Sequence, residues 1–247
     1  MSKPIDIRNL SIGYRVQSTE YRVQTDLNFA LECGELVCML GRNGCGKSTL
    51  LRTLAGLQPA LGGTYHIDDV AVVLTDKLRL DNTTVRDVVA MGRYPYTSFL
   101  GKLTAEDEKV VDEALREVFG GDGIPESRNN GISKGERAFN ALSDGEKQRV
   151  LIAKALAQQT DVILLDEPTA HLDLPNRILV LQLLRRLAHE QGKTILISTH
   201  ELELALRLSD RILLMSDKGV ELDTAARLKQ ADAFTKAFGM DIFNIQI

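Results

Sequence analysis

Hydrophobic and polar positions alternate in three short runs near the start of the chain, residues 5–10, 27–31 and 36–40, as half-buried strands require. A turn is expected at Gly62-Gly63, followed by a buried strand over 70–74. From Thr84 to about Gln158 the period becomes helical. Thr84 caps a helix running to Met91, and Thr104-Ala105-Glu106-Asp107 opens a second that runs to Val118. A polar, Gly-rich loop over 120–135 precedes a helix over 145–158. Strand and helix then alternate: strand 162–165, helix 176–190, strand 194–198, helix 201–208, strand 211–215, with two short helices closing the chain. Such alternation gives a mostly parallel sheet flanked by helices, and the middle segment reads as a helical insertion into that α/β core.

Length and composition leave this picture intact and narrow it. The 247 residues suffice for one large domain, or a core with a subdomain. A net charge of −4 argues against a nucleic-acid binder, which would show a basic stripe. No apolar run reaches the roughly 18 residues of a membrane span, and the start lacks a secretory layout, so a cytosolic chain is expected. The three cysteines, Cys33, Cys38 and Cys45, have no metal-ligand spacing and suit a reducing compartment. Cys33 and Cys38 read as core or strand-end residues. Cys45 lies near the positive end of a helix, which is expected to lower its thiol pKa.

The strongest chemical signal is Gly41-Arg42-Asn43-Gly44-Cys45-Gly46-Lys47-Ser48-Thr49, between a strand and a helix. Glycines let successive backbone N–H groups point inward, and the helix adds its positive end, which together make a triphosphate cradle. Lys47 would reach the β- and γ-phosphates, and the Ser48 hydroxyl would sit on Mg²⁺. Val162 to Leu165 end in Asp166-Glu167, at the edge where open parallel sheets bind ligands. Asp166 would face the metal and Glu167 would polarise an attacking water. His200 closes another strand at the same edge and could hold that water or a γ-phosphate oxygen. Leu142-Ser143-Asp144-Gly145-Glu146 reads first as a helix cap.

In this order, the phosphate loop, the Leu142–Glu146 segment, Asp166-Glu167, the Ala170-His171-Leu172-Asp173 turn and His200 resemble the ABC-type ATPases. The resemblance implies a single ATPase domain over residues 1–247. Its core, about 1–83 and 160–247, is RecA-like, with an N-terminal antiparallel β subdomain and a helical subdomain at about 84–159. It also implies that two copies dimerise head to tail around ATP. Ser143, Gly145 and Glu146 of one copy would close on the nucleotide held by the other, and Asp173 would couple the two sites. Tyr14 resembles the aromatic that stacks on adenine, with Tyr21 the less favoured substitute. Thr75 falls where the family has a glutamine on Mg²⁺ and water, and Asp76 is its alternative. Asp144 replaces a common glycine; about 8 Å from a phosphate charge it would cost roughly 2 kcal/mol at an effective dielectric of 20, so it is expected to point away.

Val89 to Tyr96 is similar to the importers of ferric siderophores, haem and cobalamin. Tyr94, Tyr96 and Phe99 would either line the groove for a membrane subunit or pack a loop onto helices. The resemblance thus implies a peripheral ATPase on the inner face of the cell membrane. Its partners would be two integral-membrane permease subunits and, indirectly, a periplasmic or surface substrate-binding protein, with no nucleic acid. One other reading stays open, a soluble ATPase of iron–sulfur cluster assembly; a nucleotide-sensing module without catalysis is disfavoured because Glu167 and His200 are both present.

Overall fold

The computed structural model describes residues 3–74, 80–97, 101–120, 137–241 and 243. Two compact units share the chain. The first comprises residues 1–74, 161–168 and 184–247, and the second 75–160 and 169–183.

The first unit opens with β1 (Ile5–Val16), β2 (Thr19–Leu31) and β3 (Leu36–Gly41), then α1 (Lys47–Leu54), β4 (Gly62–Ile67) and β5 (Val70–Val73). β6 (Val162–Asp166), β7 (Thr194–Ser198), α6 (Leu202–Leu208), β8 (Arg211–Ser216), β9 (Gly219–Asp223), α7 (Ala225–Gln230) and α8 (Ala233–Phe238) complete it. The strands form a three-stranded antiparallel sheet, β2-β1-β4, and a six-stranded sheet, β5-β6-β7-β3-β8-β9. Every neighbour pair in the larger sheet is parallel except β8–β9. β3, β6 and β7 are buried along their whole length, so the alternation expected over 36–40 is corrected to a continuous apolar run like those of β6 and β7. Their parallel course brings Gly41, Asp166 and Ser198, their last residues, to one edge.

Two local expectations fail, and one strand had no signal. β1 and β2 run far past the predicted strands, because their distal halves form an exposed hairpin whose polar composition hid it. Gly62-Gly63 is no turn; it opens β4 opposite a register shift in β1 between Arg8 and Ser11. Gly63 has φ +77°, and a Cβ there would lie 2.1 Å from the Asn9 carbonyl oxygen, so the close approach at the bulge is what demands glycine. β9, a short half-buried edge strand, gave no periodic signal.

The second unit is helical: α2 (Val85–Ala90), a 3-10 segment over Met91–Tyr96, α3 (Ala105–Phe119) and α4 (Asp144–Ala157), with the start of α5 (Leu174–Gln191). Three helices start on reciprocal capping boxes, Thr84 with Asp87, Thr104 with Asp107, and Ser143 with Glu146. In each, both otherwise orphaned backbone N–H groups are satisfied. The two hydrogen bonds from Thr104, then Arg93, hold the Asp107 carboxyl down at about 2. Arg93 is itself buried: Nε lies 2.9 Å from Asp107 Oδ1, and Nη1 donates to the Ala157 carbonyl and Gln159 Oε1. It thereby ties the 3-10 segment to the start of α3 and the end of α4. Among the described residues, no helix is long and apolar enough to cross a membrane.

Candidate nucleotide site

Gly41 ends β3, and the loop to Gly46 turns into α1. Gly44 and Gly46 take φ +81° and +107°, values that L side chains rarely adopt. Gly41 is needed for space: a Cβ would stand 2.5 Å from the Met215 carbonyl oxygen and 2.8 Å from Cys45 Sγ. Arg42 and Asn43 are exposed along the loop, and Thr49 is half-buried in α1. Lys47 is buried, and its ammonium donates to the carbonyls of Gly41 (2.8 Å) and Arg42 (3.2 Å), which hold it across the mouth of the loop.

Ser48 Oγ donates to Asp166 Oδ1 at 3.1 Å, so the loop and the β6 carboxylate meet directly. Ser198, at the end of β7, donates to the same oxygen at 2.6 Å and accepts the Glu167 N–H at 2.9 Å. Glu167 adopts φ +46°, a left-handed turn that aims its carboxylate sideways along the sheet edge. There it meets His200 Nε2 at 2.5 Å. Lys47, Ser48, Asp166, Glu167 and His200 thus gather at one edge of one unit. Ser198 had no separate signal, since one serine at a strand end is ordinary.

Gln24 is a second residue the sequence did not single out. Buried in β2, its Nε2 donates to the carbonyls of Cys45 (2.9 Å) and Ser216 (2.8 Å), pinning the loop to the end of β8. Its partners lie 21 and 192 positions away, so no local pattern could reveal it. Gln24→Leu leaves both carbonyls without that donor and is expected to cost about 1–3 kcal/mol of stability. A denaturant titration checks this, and an unchanged midpoint would contradict it.

Cys45 departs from expectation. Burial pushes its thiol pKa up, and the Lys47 ammonium opposes this without prevailing. The helix end does not win because the side chain faces the packed interior. Cys38 is core, its thiol pushed up to about 12 by burial, whereas Cys33 is exposed.

In the second unit, Ser143 accepts the Glu146 N–H, and its own N–H and hydroxyl reach Glu146 Oε2 at 2.8 and 2.9 Å. Arg137 holds Oε1 at 2.9 Å. Burial works to raise the Glu146 pKa, yet Ser143 and Arg137 together keep it below the ordinary value. The Glu146 carboxylate is thus engaged in the cap. Asp144 points into solvent, with Lys147 Nζ 3.9 Å away. Asp173 Oδ1 accepts both the Asn176 N–H (3.1 Å) and its Nδ2 (2.6 Å). Asn176 also explains Gly145, where a Cβ would come within 2.6 Å of the Asn176 amide carbon. The Ser143 and Asp173 turns are thus neighbours, joined through Asn176. Thr75, Asp76 and Phe99 lie outside the described residues. Tyr94 and Tyr96 are exposed, the Tyr96 hydroxyl donating to the Gln158 carbonyl at 2.6 Å.

A family model described as ABC transporter matches residues 24–170. The iron(3+)-hydroxamate import ATP-binding protein FhuC of Bacillus subtilis (strain 168) is 35% identical, with 96% of this chain and 88% of that protein aligned. Among solved structures, an ABC transporter described as of metal-chelate type, in an inward-facing conformation, superposes with a TM-score of 0.82. That chain is 30% identical, with 96% of this chain and 90% of the other covered. The dimeric ATP-binding cassette MJ0796 in a post-hydrolysis state with ADP and Pi gives 0.72 at 25% identity, covering 90% and 98%.

Proposed function

The chain belongs to the ABC transporter family, and on that premise we propose that it is the ATP-hydrolysing subunit of a membrane importer for an iron(III)-siderophore, haem or cobalamin. The observation that carries the catalytic part is the cluster at the sheet edge. There the phosphate loop, the Ser48–Asp166 pair and the Glu167–His200 pair stand together. The ligand class is supported by likeness to a protein named for iron(3+)-hydroxamate import.

ATP would lie along the loop, its phosphates against the backbone N–H groups and the positive end of α1. Lys47 would exchange its two loop carbonyls for β- and γ-phosphate oxygens. Ser48 Oγ and Asp166 Oδ1 are hard oxygen donors 3.1 Å apart, which suits Mg²⁺. Mg²⁺ is commonly bound by one or two carboxylates plus substrate phosphates. When bound, the metal would neutralise charge building on the γ-phosphate. Glu167 would accept the proton of the attacking water, His200 holding the carboxylate in place. Ser198 positions both acids through its hydroxyl. Tyr14 would take the base.

A second copy would complete each pocket, presenting Ser143 and the start of α4 to the γ-phosphate across the interface. Asp173, joined to the same turn through Asn176, would carry the state of one site to the other. Binding would favour the closed pair and hydrolysis the open one, and permease subunits would follow. Co-purification of the tagged chain from detergent-solubilised membranes tests this. A polytopic permease that stimulates ATP turnover is expected, whereas a soluble iron–sulfur scaffold would contradict the transport reading.

A further inference from the structure

We propose that Tyr21 is a positioning residue for nucleobase binding, fixing the ring that Tyr14 offers to ATP. The proposal rests on the nucleotide reading of Tyr14 given above. The two tyrosines are direct partners across the β1–β2 hairpin, and such partners share a face. Their rings lie 5.4 Å apart, inclined by 16°. That is the offset stacking aromatic pairs prefer.

The face of Tyr14 leads to the phosphate loop along β1: Ile12 lies two residues before it, and a Cβ on Gly46 would lie 3.6 Å from Ile12 Cδ1. On β2 the register shifts at this point, and Val23, in the bulge, would lie 2.9 Å from the same Cβ through its Cγ1. Two strand residues advance about 6–7 Å. The ring pair therefore stands roughly a ribose away from the last glycine of the loop, where the base of a triphosphate seated there would fall.

Both rings are about half exposed, at 53% and 47%. An isolated tyrosine on so open a hairpin would sample several rotamers and would have to be ordered by its ligand. Tyr21 stacks on one face of Tyr14, which stays about half exposed, so part of that ordering is complete before the base arrives. Specificity does not come from Tyr21 directly, because the base meets Tyr14.

Calorimetric titration of the full chain tests this, in a Glu167→Gln background that suppresses turnover, with Mg-ATP and with inorganic tripolyphosphate. Tyr21→Ala is expected to weaken ATP binding about two- to tenfold while leaving tripolyphosphate unaffected. Tyr21→Phe, which keeps the stack, should restore ATP affinity. Added to Tyr14→Ala, Tyr21→Ala should cause no further loss. Wild-type ATP affinity in Tyr21→Ala would overturn the proposal, as would equal loss for both ligands or full additivity with Tyr14→Ala. Those failures leave Tyr14 as the base platform. Wild-type ATP affinity in Tyr14→Ala would remove that platform and the proposal with it.

Discussion

Glu167→Gln is expected to reduce ATP turnover by about two to four orders of magnitude while nucleotide binding persists. The substituted amide keeps the length and an oxygen that can accept from His200, so the pair at the sheet edge survives. It cannot take a proton from water at neutral pH. The fold should be untouched, because Glu167 is anchored to Ser198 through its backbone N–H rather than its side chain. Steady-state phosphate release with parallel ATP titration checks the split. Turnover within threefold of wild type would assign the base to another group.

Lys47→Ala should act on binding first. The ammonium is buried and already oriented by two loop carbonyls. Hydrogen bonds to charged groups are worth about 1.5–3 kcal/mol each. Losing one such contact weakens ATP affinity by about ten- to a hundredfold, and the loss of charge neutralisation adds a further fall in turnover. Lys47→Arg should not rescue it, since the planar guanidinium needs more width than the buried stem leaves. Titration with ATP checks the first effect. Wild-type affinity would mean that the loop carbonyls, and not phosphate, are the ammonium's working partners.

Much of the fold was legible because its determinants are local. The three capping boxes at Thr84, Thr104 and Ser143 each lie within four residues, and each is formed. The buried strands β6 and β7 announced themselves as apolar runs, whereas β3, expected to alternate, is apolar and buried throughout. The phosphate loop was legible for a similar reason: its chemistry lies in backbone conformation, and Gly44 and Gly46 take the positive φ it requires. What escaped depends on partners distant in sequence. Gln24 and Ser198 matter through partners in the phosphate loop and on other strands, and the packing of Gly145 against Asn176 spans 31 positions. The Cys45 thiol was misjudged because a helix end is visible in sequence and burial is not. Glu146 could be placed at a signature turn, yet only the capping geometry shows its carboxylate turned back on Ser143 and Arg137.

Each nucleotide is expected to be shared between two copies. Mixing two inactive variants tests it, Lys47→Ala with an intact Ser143, and Ser143→Arg with an intact Lys47. If pockets are composite, each mixed pair holds one complete pocket, built from the Lys47 of one copy and the Ser143 of the other. Random pairing into two-fold dimers should then recover at most about a quarter of wild-type turnover. A mixture as inactive as its parents would show that no pocket is assembled across copies, contradicting the account.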